Sequence, residues 1–188
     1  ETLGLSLDLQ GRPKFGSPWF QYLNDRAEAR GRDIFHFIDI FWFGSGLGQE
    51  ERHWHLQRTS AGQIEAEKLS TGLENFIILQ PFTSEKKKEW GEERWVHTLK
   101  LLQASRPQLV ALVLGAPNES DKVQALVERM RAEGVNVRPA VCTLAGALAL
   151  MDRAQLLVTG DTSIKHLAAD TKCPVLELSL GSSDWPRT

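Results

Sequence analysis

Residues 155–179 concentrate the groups that could do chemistry. An apolar strand runs from Leu156 to Val158, a polar hinge of Thr159, Gly160, Asp161, Thr162 and Ser163 follows, and a helix then carries Lys165 and His166 in its first turns. A strand that ends in hydroxyls and a helix start aims backbone N–H groups and the positive end of a helix dipole at one point. That suits an anion, and phosphate in particular. A second polar run, Gln80-Pro81-Phe82-Thr83-Ser84 followed by Lys86-Lys87-Lys88, adds hydroxyls and positive charge. Thr83 and Ser84 have a plainer reading as turn and capping groups, and three lysines in a row are commonly a solvated surface. His166 also has two readings: it faces the hinge and touches a phosphate or sugar, or it packs as a structural histidine under the loop. His53-Trp54-His55 sets two imidazoles on one strand face, but no third ligand lies near them in sequence, so no metal is expected.

These groups need a scaffold to bring them together. From Asn75 onward, apolar runs at 76–80, 109–114, 135–138, 156–159 and 174–179 alternate with helical periodicity at 92–105, 119–133, 143–152 and 163–170. Nearly continuous apolar strands separated by helices predict an α/β, doubly wound parallel Rossmann-like sheet covered on both faces. The helix boundaries have causes: Gly91-Glu92-Glu93 and Asn118-Glu119-Ser120-Asp121 place acid at helix starts, and Gly134 stops the second helix. In such a sheet, ligands bind at the carboxyl ends of the strands. Those ends are residues 80–90, Gly115-Ala116-Pro117-Asn118-Glu119, Val141-Cys142-Thr143-Leu144 and Gly160-Asp161-Thr162-Ser163. Hydroxyls and lysine on one rim predict a nucleotide-phosphate site. Neither G-x-G-x-x-G nor G-x-x-x-x-G-K-[ST] occurs in the expected places, so an ordinary dinucleotide turn and a P-loop are excluded. Gly44-Ser45-Gly46-Leu47-Gly48 reads as a flexible turn.

Before Asn75 the pattern is less orderly. Helices are expected at 18–29, 34–43 and 62–73, with Trp54 and Leu56 in a short extended piece. The bulky row Phe35, Phe37, Ile38, Phe41, Trp42 and Phe43 either fills a core or meets a missing domain. Residues 1–58 read as a linker and remnant of an N-terminal domain. Residues 59–188 read as a C-terminal α/β domain truncated at its C-terminal end, the chain being expected to be a piece of something longer.

The 188 residues carry 22 Lys plus Arg against 24 Asp plus Glu, a net charge of −2 with no long basic run, so no nucleic-acid partner is expected. Cys142 and Cys173 show no metal spacing and suggest a reducing compartment without a structural disulfide. The longest apolar stretch, Val141 to Met151, is too short to cross a bilayer, and no signal peptide is visible.

Three ordered blocks carry a family resemblance. Leu79 to Trp95, with Pro81, Thr83, Ser84, Lys88, Trp90, Glu92, Glu93 and Trp95, resembles the P-G-T-S-x-x-K-x-W-P-x-E-x-W segment of the family 9 glycosyltransferases, the lipopolysaccharide heptosyltransferases and their relatives. Gly160 to Pro174 resembles their G-D-T-G-x-x-H-L-A-A-x-x-x-x-P segment, and Gly181 to Thr188 is similar to G-x-T-D-P-x-R-T. The resemblance covers residues 60–188 well. It implies one half of a GT-B fold, the nucleotide-sugar-binding half, with the donor typically an ADP-heptose, a lipid or saccharide acceptor of lipopolysaccharide type, and no cofactor or metal. By position, it implies Thr83, Ser84 and Lys88 at the donor's phosphates and Glu119 near the ribose. Thr143 and Leu144 fall near the adenine, and Asp161, Thr162, Ser163 and His166 around the pyrophosphate and sugar. Lys88 is implied to stabilise the leaving diphosphate. Ser163 stands where the family usually has Gly, and Phe82 replaces a small residue before Thr83. The family's proposed general base is an Asp in the N-terminal domain, and no segment here matches it, so the chain alone is expected to bind donor without transferring sugar. The resemblance implies a cytoplasmic protein or one at the inner face of the cytoplasmic membrane, with any membrane contact made through the missing domain. Two rival readings stand beside this: a nucleotide-sugar epimerase-like enzyme on the same scaffold, and a noncatalytic α/β binding module.

Overall fold

The computed structural model describes residues 5–25, 37–46 and 55–180. The chain divides into two units, Glu1–His53 with Ser183–Thr188, and Trp54–Ser182.

In the smaller unit, strands β1 (Leu5–Leu7) and β2 (Pro13–Phe15) pair as an antiparallel hairpin. Asp8 organises its turn: its carboxylate accepts the Gln10 and Arg12 amides at 2.9 Å and pairs with the Arg12 guanidinium at 2.8 Å. Helices α1 (Pro18–Asp25) and α2 (Phe37–Gly44) meet through aromatic rings. Trp19 stacks on Phe43 with centroids 5.0 Å apart, and Phe20 meets Phe41 edge-on at 5.9 Å. Phe41 and Phe43 of the expected bulky row therefore pack within this unit, although Phe41 remains half-exposed. Phe35, the side chains of Phe37 and Ile38, and Leu47, Gly48, His53 and Trp54 lie outside the described residues, as does the block 181–188.

The larger unit contains α3 (Ser60–Ser70), β3 (Phe76–Gln80), α4 (Glu92–Ser105), β4 (Val110–Gly115), α5 (Ser120–Ala132), β5 (Val137–Val141), α6 (Leu144–Met151), β6 (Leu157–Thr159), α7 (Ser163–Ala168) and β7 (Val175–Glu177). Its five strands are all parallel, in the order β5-β4-β3-β6-β7. The chain winds outward from β3 in one direction and then returns to wind in the other, so the sheet is doubly wound with its switch point between β3 and β6. Burial on both sides explains the unbroken apolar strands. Phe76 and Ile78 face a layer with Ala66, Leu150 and Ile164 of α3, α6 and α7, while Ile77 and Leu79 face Trp95, Leu99, Val123 and Met130 of α4 and α5. Each fully buried aliphatic side chain contributes about 2 kcal/mol, which makes β3 a rigid support for the residues that follow it.

Helices α3 and α6 pack backbone to backbone, because a Cβ on Gly62 would fall 2.5 Å from the Ala145 carbonyl oxygen. Thr59 and Thr143 cap these two helices, each accepting the N–H three residues on at 3.1 Å.

Several boundaries differ from the expected ones. The strand expected at 135–138 lies at Val137–Val141, since the Val135 amide closes the preceding turn onto Met130 and the Asn136 amide is taken by the Gln103 side chain. Pro139 is tolerated because β5 is an edge strand, which needs fewer ladder donors. Helix α7 stops at Ala168 rather than 170. The piece expected to be extended around Leu56 has no regular structure over residues 55–59. Side chains fix it instead: Asp170 accepts the Leu56 amide at 2.9 Å, and Arg58 grips Asp152 with two bonds of 2.8 and 2.9 Å while also pairing with the Asp170 carboxylate.

Candidate functional site

Gln80 and Thr159 end β3 and β6 and are register partners, so the two polar runs leave the sheet side by side at the switch point. They touch. A Cβ on Gly160 would sit 3.3 Å from the Lys88 carbonyl oxygen and 3.6 Å from Thr83 Cγ2, which shows how closely the lysine loop crosses the hinge. Beside this crossing opens a cavity of about 520 Å³, a size that suits a small-molecule ligand. All four expected strand ends line it. Thr83, Ser84, Glu119, Thr143, Leu144, Asp161, Thr162 and Ser163 are on its wall, with Gln80, Phe82 and Cys142. Lys88 is not a wall residue but approaches through its ammonium, 3.4 Å from the Asp161 carboxylate. His166 is exposed on α7 and is not on the wall.

Charges alternate along the rim. Lys88 lies 3.4 Å from both Glu85 and Asp161, and Asp161 holds Lys165 at 2.8 Å. Lys165 in turn reaches Glu177 at 3.3 Å. The other Glu177 oxygen, Oε1, is buried without a hydrogen-bond partner among the described residues. The hydrogen bond from Lys165, aided by Lys88, holds the Asp161 carboxyl below its ordinary range against the opposing effect of burial. Partial desolvation opposes the charge on Lys88, but Asp161 and then Glu85 outweigh it and raise that ammonium above its ordinary range. Both stay ionised at neutral pH.

The hydroxyls are more committed than their types suggest. Thr83 donates to the Glu85 carbonyl at 2.6 Å and accepts the Glu85 amide at 3.2 Å, a local turn that presents Ser84. Thr159 Oγ1 lies 3.1 Å from each of Gln80 Oε1, the Gly160 carbonyl and Thr162 Oγ1. Glu119 is fixed by accepting the Ala116 amide at 2.9 Å. Thr143 gives both its amide and its hydroxyl to the Glu65 carboxylate at 3.0 Å, while Leu144, 63 % exposed, forms an apolar rim. Burial pushes the Cys142 thiol up to about 12, so this wall residue is no nucleophile.

Sequence reasoning missed Gln80 as a partner of Thr159, named Lys165 but not its pairing with Asp161, and missed Glu177 and Glu65. The Asp161–Lys165 pair had a signal in its four-residue spacing across the hinge and the first turn of α7. The others depend on chain crossings that no local pattern announces. Among the described residues, no helix is long and apolar enough to cross a membrane.

Residues 29–184 match the family model described as Glycosyltransferase family 9 (heptosyltransferase). No curated protein matches the chain. Among solved structures, it is similar to a family 9 glycosyl transferase from Veillonella parvula, at 21% identity and a TM-score of 0.67 over 81% of this chain and 46% of that one. It is also similar to ADP-heptose lps heptosyltransferase II of E. coli, at 16% identity and 0.55 over 71% and 42%. A third is E. coli heptosyltransferase WaaC with ADP-2-deoxy-2-fluoro heptose, at 22% identity and 0.52 over 77% and 45%. The chain spans less than half the length of each of these proteins, and at such identities the likeness is one of fold.

Proposed function

Because the chain belongs to glycosyltransferase family 9, we propose that its α/β unit is the donor-binding half of a heptosyltransferase-type enzyme, one that takes a nucleotide-sugar, ADP-heptose, and serves a lipopolysaccharide-type acceptor. The observation that carries this reading is the meeting of four strand ends around one cavity at the switch point, with Lys88 beside it. A nucleotide diphosphate needs one end apolar and the other charged. Leu144 and Pro117 offer the apolar end to the base, with Thr143 beside them, Glu119 an anchored acceptor for the ribose, and Ser84 and Lys88 the donor and the charge for phosphates on a turn built by Thr83.

In sugar transfer the acceptor oxygen bonds to the anomeric carbon as the bond from that carbon to the diphosphate oxygen breaks. Negative charge grows on the leaving diphosphate, and a lysine already near its position lowers that barrier without reorganising solvent. Lys88 fills this role, and Asp161 and Ser163, which are on the cavity wall, are assigned to the pyrophosphate and sugar. The general base comes from a domain outside this chain, so the chain alone binds donor and does not transfer it. The same reading sets the protein in the cytoplasm or at the inner face of its membrane. The family match favours neither the epimerase nor the noncatalytic alternative.

Calorimetric titration of ADP, UDP and GDP into the chain tests the proposal. ADP is expected to bind tightest, and saturable binding of ADP to be displaced by ADP-heptose. If none of the three binds, the donor-site reading falls.

A further inference from the structure

Thr159 is wholly buried and its hydroxyl has three oxygen neighbours, each 3.1 Å away. It has one proton to give. Two of the neighbours, Gln80 Oε1 and the Gly160 carbonyl oxygen, are carbonyls that can only accept. The orientation of the Gln80 amide is fixed at its other end, where Nε2 donates to the Phe82 carbonyl, again an oxygen that can only accept. The Thr159 proton therefore goes to a carbonyl, and the contact between Thr159 and Thr162 is a hydrogen bond only if Thr162 is the donor. The reverse arrangement would leave two buried carbonyl oxygens facing the lone pairs of Thr159. Thr162 does not use its hydroxyl to cap α7, and it is on the cavity wall. With its proton directed inward to Thr159, it shows the cavity only lone pairs.

We propose that Gln80 and Thr159 are positioning residues that orient the Thr162 hydroxyl as an acceptor, so that Thr162 selects a hydroxyl or N–H donor on the ligand and discriminates against a phosphate oxygen. The family resemblance implies Thr162 only around the pyrophosphate and sugar together; the direction of its proton narrows it to the sugar, a step that rests on the nucleotide-sugar reading of the cavity. Chemically, Thr162 then contacts the sugar part of the donor and leaves the phosphates to Ser84 and Lys88.

The test compares ADP with ADP-heptose on the wild-type chain, Thr159→Val and Thr159→Ser. Valine is nearly isosteric but accepts nothing, so the Thr162 proton is released into the cavity. The ratio of ADP-heptose to ADP affinity is expected to fall about fivefold in Thr159→Val, the worth of one neutral hydrogen bond, and to be restored in Thr159→Ser. A role in packing alone would weaken both ligands together, leaving the ratio unchanged, and that result overturns the proposal. Binding of neither ligand by the wild-type chain would instead remove the donor-site reading, and this inference with it. A readout without ligand is the Thr159 hydroxyl proton in NMR: shielded from water, it should exchange slowly and show cross-relaxation to the Gln80 side chain. Strong cross-relaxation of that proton to the Thr162 side chain, with none to Gln80, would also overturn the proposal.

Discussion

Two ionic clusters of the α/β unit each set one cation between two carboxylates and differ in the cation and in geometry. At Arg58, a planar guanidinium makes two parallel bonds of 2.8 and 2.9 Å to Asp152 and pairs again with Asp170, which is almost fully buried. At Lys88, a point charge sits 3.4 Å from two different carboxylates. The first holds residues 55–58 against the ends of α6 and α7 and has every fork of the guanidinium in use. The second is held at longer distance, which under the proposed donor-site reading lets a phosphate displace either partner. Short bidentate pairing marks a structural tie, whereas a cation shared at long range beside a cavity marks an exchangeable site.

Substitutions can break or sharpen that contrast. The largest stability effect is expected at the clasp: Arg58→Met leaves two carboxylates facing each other and should lower the melting temperature by roughly 5 °C, measured by calorimetry, with ADP affinity little changed. A loss of ADP binding alone would erase the distinction. Lys88→Met should do the opposite, weakening ADP about tenfold in a titration while the melting temperature stays nearly constant. The smallest expected effect concerns Glu85, which competes for Lys88. Glu85→Gln should strengthen ADP about twofold, and an unchanged constant would mean that the Lys88 charge is set by Asp161 alone. Asp161 and Asp170 also tie both clusters to pH. Their folded carboxyls titrate below the ordinary 3.8, so their contribution to stability is complete above that value and is lost as pH falls through the lowered ones.

Much of the scaffold was legible along the chain. Phe76–Gln80 and Val110–Gly115 read as buried parallel strands because both faces are covered and no polar residue interrupts them. Glu92–Ser105 was marked by glycine and paired acids at its start. The wall positions from Thr83 to Ser163 could be named because an α/β sheet exposes the same ends of all its strands on one side. Harder to read were residues 55–58, where nothing in the local pattern announces an arginine whose partners are 94 and 112 residues away. Pro139 concealed the extent of β5, since its effect depends on whether the strand lies at an edge.

The order of elements, the class of sheet and the rim on which polar residues collect were determined by the sequence, because hydrophobic period and turn chemistry act over a few residues. Which hydroxyls keep a proton for a ligand was decided only by the tertiary structure. Thr83 and Thr162 look alike as donors in one dimension, yet one is turned onto Glu85 and the other onto Thr159. A hydroxyl has a single proton, and its direction depends on every acceptor within about 3 Å; for Thr162 the deciding one is Gln80, which reaches Thr159 from 79 residues away.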